Sequence, residues 1–132
     1  AERATRKDLA QLKRIVAKQT AAVSSGTTGV EADTEFHFTI GRATRNQALQ
    51  KLVAGLMELL SRSREDSLQT DGRRQASVDA HRRIISAIEK HDKNRARGEM
   101  LRHIEQVEES VAGIHRGIGA SKRKLHPAGR AA

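Results

Sequence analysis

An all-α fold, an antiparallel helical bundle, is what this sequence predicts, and three observations predict it. The chain of 132 residues has one Pro and two aromatic residues, both Phe, against many Ala, Leu, Arg, Glu and Gln. That balance suits helices and starves a sandwich or barrel of its strand formers. Apolar residues recur at spacings of three and four along most of the chain. Residues that cap helix starts stand just before those periodic runs. The length suits one compact domain with a core and is short for two.

Taken in order, Ala1–Ala4 read as the end of a helix whose beginning is absent, and the chain, which starts with Ala, as a fragment of something longer. Thr5 with Asp8 forms a capping-box start. Leu9, Leu12, Ile15 and Val16 then mark the buried stripe of a helix to about Val23. SSGTTG is a loop. Glu31 to Thr44 forms the second helix, and Asn46 caps a third, in which Leu49, Leu52, Val53, Leu56, Leu59 and Leu60 predict a broad buried face to about Leu68. QTDGRRQA is expected as a polar loop, with Ser77 capping a helix that buries Val78, Ile84, Ile85 and Ile88. Asp92 caps the last helix, with Ala96, Met100, Val107, Val111 and Ile114 on its buried side. Gly117 and Gly119 are expected to stop it. This divides the chain into a helical domain, 1–119, and a basic flexible tail, 120–132, with no internal repeat.

Composition narrows the chemistry. With no Cys there are no disulfides, thiolate metal sites or Cys nucleophiles, so any metal must be held by His and carboxylates. The longest uncharged run, 19–30, is short and rich in Ser, Thr and Gly, and nothing resembles a signal peptide. A cytoplasmic protein without a membrane segment is expected. The formal charge of +9 raises the question of nucleic acid. Yet most basic residues alternate with acids on helix surfaces, the densest basic cluster, Lys122 to Lys124, lies in the tail, and there is no Trp or Tyr for bases to stack on. Direct nucleic-acid binding by this segment is therefore not expected.

The informative stretch is EADTEFHFTIGRA, 31–43. On a helical wheel with Asp33 at zero, Phe36 falls at about −60°, Ile40 at about −20° and His37 at about +40°. A carboxylate and an imidazole thus share the core-facing side, with no Lys or Arg on that side of the helix. His81 and His103 fall at the centres of the apolar arcs of two later helices. A buried carboxylate needs a positive partner, and three imidazoles with one carboxylate form a donor set that a divalent metal satisfies. Asp33, His37, His81 and His103 are the candidate ligands. A single core histidine is more often a packed residue than a ligand; it is the joint occurrence on three helices that favours a metal. Zn²⁺ is the preferred ion, with Ni²⁺ or Mn²⁺ as alternatives. Arg64 is a weaker candidate for binding a ligand near the metal. His91, His115 and His126 read as surface residues, and Phe36 and Phe38 as packing residues.

DTEFHFTIGRATRNQALQKL resembles the D-x-x-F-H-x-x-I/L-x-x-A-x-x-N-x-x-L block of the FCD domain, the C-terminal effector-binding domain of FadR-type GntR transcription regulators. AHRRIISAI and DKNRARGEMLRHI are similar to that family's second and third blocks, and ERATRKDLAQL to its junction between first and second helices. The resemblance implies metal ligation by Asp33, His37, His81 and His103. It also implies that most of the domain's first helix, and a winged helix-turn-helix before it, lie outside this segment. Ala80 and Gly98 depart from the family's usual Glu and helix former; neither removes a ligand.

The function this implies is that of a sensor, not an enzyme: a small carboxylate effector binds at the metal and modulates DNA binding by the absent domain, in a homodimer. A helical metal-dependent hydrolase is the rival from another class, and lacks a general base because Glu35 and Glu58 point outward by periodicity. A metal-free structural bundle is the third reading.

Overall fold

In the computed structural model, which describes the main chain of residues 1–124 and the side chains of 1–70 and 72–113, the described residues form six helices. These are α1 (Arg6–Ser24), α2 (Val30–Ala43), α3 (Gln47–Leu59), α4 (Ser61–Ser67), α5 (Asp71–Glu89) and α6 (Lys93–Lys124). There is no strand among the described residues. The ends form where short-range chemistry directs them. Thr5 and Asp8 make the reciprocal capping box at α1. Gly26, at φ 84°, ends that helix in the left-handed conformation, so that Thr27 N–H reaches back to Ala22 O. Asn46 and Asp92 accept from Leu49 and Arg95 N–H as N-caps do.

Contacts between helices fix their directions. Lys13 meets Glu89 and Thr20 meets Arg82, so α1 and α5 run antiparallel. Lys18 with Glu35 and Asp8 with Arg45 orient α1 against α2 in the same way, and Arg83 with Glu99 and His81 with His103 do so for α5 and α6. The core lies among α1, α2 and α5: Leu12, Ile15, Val16, Phe36, Val78, Ile84, Ile85 and Ile88 are all buried. Each fully buried side chain of this size contributes on the order of 1.5–3 kcal/mol. Helix α6 closes the bundle with partly buried Ala96 and Met100.

Four expectations are corrected here. Ala1–Ala4 are not helical; the extended backbone of Thr5 separates them from α1. The leucine face of α3 is not buried: α3 has no buried residue, and Leu59 is 78% exposed. Periodicity reveals an apolar face but not what covers it, and α3 packs on α2 through Val53 beside Gly41 while Leu52, Leu56 and Leu59 stay exposed. QTDGRRQA is not a loop. Helix α5 starts at Asp71 with Thr70 as its N-cap, because Arg73 and Arg74 N–H both reach Thr70 O. Finally, α6 continues through Gly117 and Gly119 to Lys124; a glycine inside a helix costs only about 1 kcal/mol and need not end it. The side chains of Ile114 and His115, the residue His126 and the tail from 125 lie outside the described residues. No helix among the described residues is long and apolar enough to cross a membrane.

Candidate metal centre

Asp33 and His37 occupy successive turns of α2, and the bundle brings α5 and α6 over them. Asp33, His81 and His103 are buried, and His37 keeps 12% of its side chain exposed. The four residues offer donor atoms that lie within 4.8 Å of one another. His37 Nε2 is 3.4 Å from His103 Nε2 and 3.8 Å from Asp33 Oδ2, and His81 Nε2 is 3.5 Å from Asp33 Oδ1. Phe36 stacks on His81 with ring centroids 3.8 Å apart, so it is a packing residue that also holds an imidazole flat.

Sequence periodicity did not reveal the supports. Gln19 is fully buried on the Leu12, Ile15, Val16 stripe of α1. Its Oε1 lies 2.8 Å from His81 Nδ1, and its Nε2 donates to Asp33 Oδ1 and Ser77 Oγ. With the amide so oriented, Gln19 accepts the Nδ1 proton and leaves the His81 Nε2 lone pair facing the cluster. Ser77, expected as a cap, is buried one turn before His81 and donates to Asp33 Oδ1 at 2.8 Å. A polar residue on an apolar stripe was the available signal for Gln19. For Ser77 the signal was its i, i+4 relation to His81.

The greatest correction concerns charge. Arg64, which α4 turns inward, is buried and donates to Asp33 Oδ2 and, at 3.0 Å, to Thr34 Oγ1. Asp33 therefore already has a cationic partner, supplied by a helix that a wheel drawn on α2 alone does not show. Burial by itself pushes the Asp33 carboxyl up, but His37, His81 and Arg64 together hold it well below the usual carboxylate range. Burial lowers His37 and His81 despite the opposing pull of Asp33, and pushes His103 down to about 4. At neutral pH all three imidazoles are neutral, the state a metal requires.

Two observations bear on whether these residues suit a divalent ion. His81 Nε2, the ring nitrogen that faces Asp33, is buried without a hydrogen-bond partner among the described residues, which a folded protein rarely tolerates unless something else meets it. The 3.4 and 3.5 Å separations also match the roughly 3.3 Å edge of a tetrahedron built on bonds of about 2.0–2.1 Å, while donors as far apart as 4.8 Å would have to close in by several tenths of an ångström, since two such bonds in line span only about 4.2 Å. The donor set fits.

Two more polar residues surround the centre. Arg73 lines the same recess as Asp33, Arg64 and His103, and its Nε and Nη1 are buried without a partner among the described residues. It stands eight residues before His81, one turn before Ser77 on α5, and was hidden by the loop expected there. Glu99 is a buried carboxylate that periodicity did not reveal, but Arg83 and Arg102 hold it at 3.0 and 2.9 Å and it is not among the clustered donors. Glu35 is half-buried, where it pairs with Lys18, and Glu58 is exposed. His91 is exposed.

Comparison with known proteins gives a consistent picture. The FCD domain family matches residues 1–106. The chain is similar to the Uxu operon regulator of Haemophilus influenzae, with 30% identity over 110 residues, which cover 79% of this chain and 41% of that protein. It thus spans about two-fifths of the relative's length. No solved structure matches it.

Proposed function

This chain belongs to the FCD domain family, and from that premise we propose that it is the effector-sensing domain of a GntR-type bacterial transcription regulator. In this reading Asp33, His37, His81 and His103 hold a divalent ion, Zn²⁺ in preference to Ni²⁺ or Mn²⁺. The ion would supply positive charge and open positions that the carboxylate of a small organic acid can occupy. Gln19 keeps His81 in the required tautomer, and Ser77 and Arg64 fix the Asp33 carboxylate. Binding would bias the helices around the site, in a cytoplasmic homodimer, and through them DNA binding by a winged helix-turn-helix carried elsewhere in the regulator. The regulator named above supports this assignment by similarity.

The observation that carries the reading is the convergence of four neutral or anionic donors, from three helices, with His81 Nε2 buried and unpartnered among the described residues. His81→Ala and His103→Ala should each abolish stoichiometric metal in the purified protein, measured by elemental analysis. Unchanged metal in both variants refutes the assignment. The Arg64–Asp33 pair favours a second reading, a buried polar network that needs no ion. A chain that melts at the same temperature with zinc and with chelator would establish that reading in place of the first.

A further inference from the structure

A cavity of about 480 Å³ opens beside the candidate centre, between α3–α4 and α6. Its volume lies in the lower part of the roughly 300–1,000 Å³ range of small-molecule sites. His37, His103 and Arg64 line it together with Met57, Leu60, Ile104 and Val107. Of the four candidate donors only His37 and His103 reach this cavity, and His37 is the one whose side chain keeps 12% exposure. The centre is therefore approached from here. Leu60 and Ile104 are 42% and 53% exposed on the same lining, an apolar surface that water covers poorly and a ligand body would cover well. Ser63 and Glu108 are the other polar residues on the lining, and Glu108 is exposed. Cationic and imidazole groups at one part of a largely apolar cavity complement a molecule with one anionic end.

We propose that the ligand taken at this centre is a monocarboxylic acid with an apolar body, its carboxylate toward His37, His103 and Arg64 and its hydrocarbon part against Met57, Leu60, Ile104 and Val107. This rests on the sensor reading above and adds the chemical class of its ligand. A polyhydroxylated or dicarboxylic acid of the same length would strip its polar groups of water without finding partners on those walls.

Calorimetric titration of the zinc-loaded chain with acetate, butyrate, hexanoate and octanoate tests it, with adipate and gluconate as polar-bodied six-carbon acids. Affinity should rise about fourfold per added methylene until the cavity is filled, and hexanoate should exceed adipate and gluconate by at least about tenfold. Ile104→Ser, at an exposed position that leaves the core intact, should lower hexanoate affinity several-fold while acetate affinity stays within about twofold. Equal affinities along the series, or preference for adipate or gluconate, overturn the proposal while stoichiometric zinc leaves the metal centre standing. A chain that takes up no zinc overturns both. The same series without effect, but with a second copy of the chain closing the cavity in a concentration-dependent dimer, would also overturn it.

Discussion

At the scale of single residues, Asp33 is the pivot. Its two oxygens are shared among Ser77, Gln19, Arg64 and the imidazoles of His37 and His81, and one side-chain change distinguishes what compensates its charge. Arg64→Ala leaves a buried carboxylate beside neutral rings. In chelator the loss should be about 3–5 kcal/mol, the usual cost of removing one partner from a buried ion pair. Saturating zinc should restore a substantial part of it, because the ion binds the folded state and replaces the missing positive charge. Chemical denaturation of the variant and of the unsubstituted chain, with and without zinc, measures the difference. An equal loss under both conditions would show that no ion reaches Asp33. The candidate donors were legible in the sequence because each lies on an apolar arc of its own helix. The pairing of Arg64 with Asp33 was not, since that side chain turns inward only after the chain bends at Leu60, where the backbone leaves the helix (φ −93°, ψ 4°).

At the scale of elements, α6 carries a glycine where a helix former would serve better. Gly98 lies in the helix, is exposed, and has open space where a Cβ would project. Gly98→Ala should therefore stabilise the protein by about 0.5–1 kcal/mol, seen as a Tm higher by several degrees, through the helix-propensity difference alone. A lower Tm would mean that this part of α6 is packed against something. The start of α5 shows the reverse lesson. Residues 71–76 lack an apolar stripe, so their pattern resembles a loop, yet Thr70 O receives two N–H groups and the helix begins there. That extra turn places Arg73 in the recess beside the centre. Hydrophobic periodicity finds helices that bury carbon and misses a turn whose inward face is polar.

At the scale of the whole molecule, the buried histidines tie stability to pH. In the unfolded chain they take up protons below about pH 6.5. In the folded, metal-free chain burial holds all three below that value, His103 at about 4. Between these limits the unfolded state binds more protons, so stability rises with pH through that window. It is complete above about pH 6.5, falls as the pH drops toward 4, and falls further below about 4, where Asp33 is protonated more readily in the unfolded chain than in the folded one. Thermal melts in chelator should show Tm dropping steeply between about pH 7 and 5; a flat Tm across that interval would contradict the burial of the rings. The all-α class, the capping of α1, α3 and α6, the stripe of α1 and the inward-facing positions of Asp33, His37, His81 and His103 were determined by the sequence alone, because each depends on neighbours within one or two turns. The tertiary structure alone decided that Arg64 compensates Asp33, that Gln19 and Ser77 orient the cluster, that Arg73 borders it and that the α3 leucines face outward. Those outcomes depend on which helices meet across the bundle, and the period of a single helix holds no information about its partner.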